Sequence, residues 1–416
     1  MKRISWLLLT VILPLAAAPA AAERCALDDV PAATLLLPYF EVDLTRPEGL
    51  TTVFSINNAA AEAVLANVVV WSDLGVPTLI FSVYLTGYDV QSFNVRDFFF
   101  SGFLSRTASA GQDPADQISP QGEFSQDINF ASCTGILPLP TLPPNFITHL
   151  RAAHTGQFSA ILKGCASLAF ADNRARGYIT VDTVSRCTLM TPQEDGYFAP
   201  DGPATAQNVL WGEFYYVDRP NALAQGENLV RIEAHPGAYT QNDFTFYGRY
   251  VNNSGQDARE PLPASWAVRY LDGGAFASGT SLIVWRDSQR KGVPFTCGGM
   301  PSGFPLVVQS FVSFDEQENP YYPEPWPILP PPMPPPTYFP FEANRVPVAY
   351  TPTPYDFGWL YVDLDLPGVM EPVRSQGWVG SILDAEGLFS VGFNSTPLDR
   401  ACVAGDQDSP FPWPDH

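Results

Sequence analysis

Charge is scarce in this sequence. Only 16% of its 416 residues are charged and 46% are hydrophobic, against about 25% charged in an ordinary soluble domain, so the disordered class is excluded. Positive charge is scarcer still: 22 Lys and Arg face 43 Asp and Glu, for a net charge of −21. Such a chain repels a phosphate backbone, and nucleic acid is not an expected partner. Beyond the N-terminus, Gly, Pro, Asp or Asn breaks every apolar run well short of the roughly 20 residues of a membrane helix, so no transmembrane segment is expected after the leader. Histidine is confined to His149, His154, His235 and His416. His149 and His154 miss the four-residue spacing that places two ligands on one helical face, and each reads as a surface or loop histidine. Gly-x-Ser-x-Gly elbows, phosphate-cradling glycine loops and heptads are all missing, which disfavours a serine hydrolase of the α/β type.

What is present begins with Lys2 and Arg3, an apolar stretch from Ile4 to Leu15, and an alanine run to Ala22 broken only by Pro19. A charged start, a short apolar core and small residues at the cut make a secretory signal over residues 1–22. The expected location is secreted, periplasmic or extracellular. All six cysteines, Cys25, Cys133, Cys165, Cys187, Cys297 and Cys402, follow that signal, with no close pair. They read as disulfides rather than zinc ligands, which would want two cysteines about two to four residues apart. An oxidising compartment suits them. Many pairings are open; Cys165 with Cys187 is preferred, because it closes a short loop flanking a predicted strand.

Period-two patterns dominate the rest. Runs such as Thr51 to Ile56, Val64 to Trp71, Leu79 to Leu85, Val90 to Phe100, Phe158 to Lys163, Gly177 to Val184, Phe244 to Val251, Trp266 to Leu271, Ser281 to Trp285 and Gly358 to Leu366 read as strands. The apolar segment Thr34 to Val42 reads as the first strand of its own domain, with exchange into a neighbouring copy as the alternative. Helix is limited to Asn145 to His154, with Asn145 as cap and Gly156 as terminator. The expected fold is all-β: two tandem β-sandwiches, immunoglobulin-like or jelly-roll-like, over 23–235 and 236–416. Ordered echoes between the halves point to an internal duplication: Ser55–Asn58 with Tyr250–Asn253, Trp71 with Trp266, Asn94–Asp97 with Val284–Asp287, Cys133 with Cys297, and Gly177–Asp182 with Gly358–Asp363. From Pro320 to Pro340, 11 of 21 residues are proline. This stretch cannot be a central strand and reads as a loop inserted in the second domain, with Trp326 among its exposed aromatics.

Candidate chemistry rests on one strand. Alternation over Gly358 to Leu366 places Leu360, Val362, Leu364 and Leu366 toward a core and Trp359, Tyr361, Asp363 and Asp365 toward solvent. Its echo aligns Tyr178, Thr180 and Asp182. Trp359, Tyr361, Tyr178 and Trp326 are therefore the candidate ligand-binding residues, and Asp363 and Asp365 are candidate ligands for calcium, the one cofactor considered. No loop of the Asp-x-Asp-x-Asp-Gly type accompanies them. The chain reads as a secreted, non-enzymatic binding or structural protein whose partner is an extracellular glycan or protein. The alternative is a carbohydrate-active hydrolase or lyase using acids on a sheet face.

Overall fold

A computed structural model of the chain describes residues 30–105, 128–137, 139–276, 279–308, 310–322, 339–351, 353–366 and 374–385, together with 388, 390–391 and 395–398. Residues 1–22, Cys25, Cys402 and Trp326 lie outside them. The first half contributes β1 (Thr34–Asp43), β2 (Thr51–Asn58), β3 (Val64–Ser72), β4 (Pro77–Leu85), β5 (Val90–Asn94), α1 (Val95–Phe100), α2 (Pro144–Ala153), β6 (Arg174–Val184), β7 (Leu210–Trp211), β8 (Glu213–Asp218), β9 (Leu223–Asn228) and β10 (Val230–Ile232). The second contributes β11 (Ser265–Leu271), β12 (Ser281–Arg286), β13 (Ser310–Phe314), β14 (Pro320–Tyr321), β15 (Ala343–Pro347), β16 (Phe357–Asp363), β17 (Gly377–Asp384), β18 (Ser390–Val391) and β19 (Ser395–Pro397).

The fold is all-β, and its ladders are antiparallel. A front sheet in the order β10-β1-β6-β3-β4 and a back sheet in the order β5-β2-β8-β9 make the first body. The second body repeats both orders, as β19-β11-β16-β13-β14 and β15-β12-β17-β18. Among the described strands only the two-residue β7, an extra partner of β2, has no counterpart. Register repeats as well. Asp182 on β6 lies between Thr34 and Asn67, as Asp363 on β16 lies between Ser265 and Ser310. In each body the front sheet packs on the back sheet, β1 on β2 and β11 on β17, in line with the face-to-face packing of a sandwich.

Of the sequence echoes, Gly177–Asp182 with Gly358–Asp363 falls on equivalent strands at the same register. The others do not: Trp71 is on β3 while Trp266 is on β11, the equivalent of β1. One buried apolar cluster runs through both bodies, from Leu35 and Val181 to Trp285 and Leu360. Thr34 to Val42 is β1, paired within its own sheet and buried on both faces.

Several sequence expectations are corrected. Val90 to Phe100 is not one strand: the Asn94 side chain accepts the Arg96 N–H and starts α1, a capping device that overrides the apolar alternation. Phe158 to Lys163 and Phe244 to Val251 are turns, with left-handed residues at Lys163, Asn252 and Asn253. The rings of the second segment, Phe246, Tyr247 and Tyr250, are buried between the bodies instead of alternating in a ladder. Helix α2 begins with Pro144 at its first position, so Asn145 is no cap. His149 and His154 are buried, not superficial. They flank Thr78: His149 Nε2 donates to its carbonyl at 3.0 Å, and His154 Nε2 lies 2.8 Å from its hydroxyl. The preferred disulfide is also wrong. Cys165 is bonded to Cys297 and Cys133 to Cys187. Cys165 and Phe295 exchange two backbone hydrogen bonds of 2.9 Å, so the first bridge joins a loop of each body.

Candidate functional site

The outer face of the second front sheet has three cross-strand rows. Arg269, Trp359 and Phe314 form the first; Ala267, Tyr361 and Val312 the second; Ser265, Asp363 and Ser310 the third. Residues between them, Trp266, Val268, Leu360 and Val362, point into the core and are fully buried. Trp359 stacks on Phe314 with ring centroids 4.0 Å apart and planes within 3°. Both rings are half-buried, while Phe357 and Arg269 are exposed. The face thus grades from aromatic at the start of β16 to polar at its end. Acids ring the aromatic end, with Glu316, Glu318 and Asp356 exposed.

The equivalent row of the first body is sealed. Tyr178 lies opposite Trp71 in the same register, stacked at 5.8 Å, but it is only 1% exposed. The wet face expected for Tyr178, Thr180 and Asp182 is therefore absent, because the second half covers it. Tyr250 also stacks on Trp71, and Trp285 meets Tyr178 edge-on. These rings line a small pocket of about 10 Å³ together with Thr180, Phe246, Tyr247 and Arg249, which is near the lower limit for one ordered water. Alternation along β6 is intact; a covering layer that no local pattern records changes its meaning.

Three buried carboxylates tie the bodies together. Glu342, just before β15, accepts from Tyr178 Oη at 2.7 Å and from the Ser288 N–H at 3.2 Å, and it pairs with Arg249. Burial alone would lower the Arg249 guanidinium, but Asp287 and Glu342 hold it well above its ordinary value. Glu41 on β1 meets Arg174 at 2.7 Å, Arg345 of the second body at 3.0 Å and Arg176 at 3.6 Å. Burial would raise its carboxyl, yet Arg345, Arg174 and Arg176 keep it below the usual range. Asp182 accepts from Thr34 Oγ1 at 2.5 Å, Tyr247 Oη at 3.1 Å and Tyr197 Oη at 3.2 Å. Burial raises its carboxyl despite Arg259 nearby. Such groups fix how the halves meet, because an unpaired charge in their place would cost several kcal/mol, on the order of 3–5.

A serine–histidine contact exists, with His149 Nδ1 2.7 Å from Ser159 Oγ. It lacks access: Ser159 is 1% and His149 3% exposed. The other ring nitrogen is spent on the Thr78 carbonyl, and burial lowers the imidazole. The pair reads as a satisfied core contact. Asp363 Oδ1 accepts the Asp365 N–H at 3.0 Å, and Asp365 Oδ1 accepts the Ser375 N–H at 2.6 Å. Both acids thus tie down the chain leaving β16. The residues that do gather like metal ligands are Glu233, His235 and Glu260, with one donor atom of each within 4.8 Å of the others. Sequence reading passed over them, although Glu233 and His235 are two apart and a strand would put both on one face. Phe314 and Arg269 were missed because only strand pairing brings them beside Trp359. Among the described residues no helix is long and apolar enough to cross a membrane. The chain matches no protein-family model, no curated protein and no solved structure.

Proposed function

We propose that this is an exported, non-enzymatic recognition protein made of two copies of one ancestral sandwich, and that the outer face of the second front sheet docks a protein partner. One observation carries the reading: the same cross-strand aromatic row is sealed by polypeptide in the first body and left half-exposed in the second. The sealed copy indicates what suits such a face. It receives aromatic rings, Tyr250 and Trp285, with a guanidinium, Arg249, over Tyr250 at 4.6 Å. The acids around the open copy favour a partner whose apolar contact is rimmed by Lys and Arg. Export is supported by the sequence of residues 1–22 and by two disulfides among the described cysteines.

The test is selection of binders from a phage-displayed random peptide library, with an oligosaccharide array run in parallel. Peptides rich in aromatic and basic residues are expected to bind the parent chain and to lose about tenfold or more in affinity on Trp359→Ala, the loss typical of a central aromatic contact. Peptides indifferent to Trp359→Ala would sink the assignment of the face. Oligosaccharides whose binding depends on Trp359 would replace the protein partner with a glycan.

A further inference from the structure

We propose that Glu233, His235 and Glu260 form a binding site for one divalent transition-metal ion, with zinc the best match to the donors. The site lies where the chain passes between the bodies. Glu233 and His235 follow β10, and Glu260 precedes β11. The two segments run antiparallel through an Ala234–Arg259 bridge; the His235 N–H donates to Ala258 O at 2.7 Å and the Glu260 N–H to Glu233 O at 3.0 Å. This pairing sets Glu233 directly across from Glu260 and, by the period of two, His235 on the same face. Arg259 goes to the other face, where its guanidinium donates to Thr34 Oγ1 and to the carbonyls of Asp257 and Thr205. Backbone hydrogen bonds therefore hold the three donors together, as a metal site requires.

Distances agree with ligands around one ion. His235 Nε2 is 3.0 Å from Glu260 Oε1 and 4.0 Å from Glu233 Oε2. Zinc bonds of about 2.0–2.2 Å in tetrahedral arrangement place neighbouring donors roughly 3.3–3.5 Å apart. Nε2 is shielded from solvent and makes no hydrogen bond, even with a carboxylate oxygen 3.0 Å away. One imidazole and two carboxylates suit zinc, whereas calcium would want six to eight oxygens. Three protein donors leave a fourth zinc position for water. The ion would bridge the strand leaving the first body to the strand entering the second.

The experiment is calorimetric titration of the metal-stripped, disulfide-intact chain with zinc chloride, in parallel with calcium chloride, on the parent, His235→Gln and Glu260→Gln. Cobalt(II) absorption reports coordination. Expected are one zinc per chain, an upward shift of the melting temperature with zinc, cobalt bands of a four-coordinate ion, and affinity about tenfold or more lower in each variant. Circular dichroism of the metal-free variants checks that they keep the fold. Absence of saturable zinc binding by the parent overturns the proposal. So does equal zinc binding by parent and folded variants, which would place the ion elsewhere. Calcium binding that outcompetes zinc and ignores His235→Gln would overturn the imidazole's role. Should His235→Gln fail to fold, Glu260→Gln and the cobalt spectrum of the parent decide the matter.

Discussion

Trp359 faces Phe314 across β16 and β13 at the same register at which Tyr178 faces Trp71 across β6 and β3. The pairs are equivalent in topology and opposite in surroundings, so the same truncation should have different effects in each. Tyr178→Ala removes a fully buried ring and leaves Glu342 without one of its donors; it is expected to cost about 3–5 kcal/mol. Trp359→Ala removes one member of a half-exposed stack, about 0.5–1.5 kcal/mol of ring contact together with only part of a ring's burial, and should cost clearly less than Tyr178→Ala. Urea denaturation of both variants checks the contrast. Equal losses would mean that the second face is covered as firmly as the first.

Gly75 is one place where the bodies meet closely: a Cβ on Gly292 would fall 1.8 Å from the Gly75 carbonyl oxygen. It sits in the turn from β3 to β4 with a φ of +73°, and a Cβ there would fall 2.3 Å from Glu342 Oε2. Glu342 cannot retreat cheaply, because Tyr178, Ser288 and Arg249 hold it. Gly75→Ala therefore combines left-handed strain with a clash against an anchored carboxylate, and it should destabilise by about 2 kcal/mol or more. Glu342→Ala in the Gly75→Ala background tests the cause. If the clash dominates, the two losses will be clearly less than additive; additive losses would leave backbone strain as the whole effect.

The two bridges differ in what they join. Cys133 and Cys187 are 54 residues apart within the first half, whereas Cys165 and Cys297 are 132 apart and connect the halves. On the chain-entropy account the longer closure is worth about 5 kcal/mol. Replacing Cys165 and Cys297 by serine should lower the melting temperature and let the halves unfold separately. Scanning calorimetry would then resolve two transitions where the parent has one. A single unshifted transition would show that the buried interface alone keeps the halves coupled.

Strand content was legible because alternation is a local property, and β16 displays it without interference: Leu360 and Val362 inward, Trp359 and Tyr361 outward. The same pattern on β6 misled about exposure, since Tyr178 and Asp182 are covered by residues outside their own sheet, Tyr197, Tyr247 and Glu342 among them. Long-range burial has no signature in a short window. The repeated architecture was only faintly legible, because insertions fall at different joints of the two bodies. The first carries its long excursion between β5 and β6, the second between β12 and β13 and between β14 and β15. Helix α1 was missed although its signal was present, an asparagine cap with Asp97 in the first turn. The apolar alternation around it was simply louder.

Two buried groups should shape the pH dependence in opposite senses. Burial pushes the Asp73 carboxyl up to about 8 from an ordinary 3.8, against the pull of Arg176, and its Oδ1 has no hydrogen-bond partner. Between about pH 4 and pH 8 the unfolded chain has released this proton while the native protein keeps it, so stability falls as pH rises through that window. Burial lowers His154 to about 4 from 6.5. There the unfolded chain takes up the proton first, so stability falls as pH drops from about 6.5 to about 4. Asp73→Asn removes the first limb and leaves the second. The variant should match the parent near pH 4 and exceed it by a margin that grows up to about pH 8, by at most about 1.4 kcal/mol for each step of one in pH. Urea midpoints measured across that range decide it. A margin independent of pH would mean that Asp73 is ionised in the native protein and that its neighbours, rather than a retained proton, make its burial tolerable.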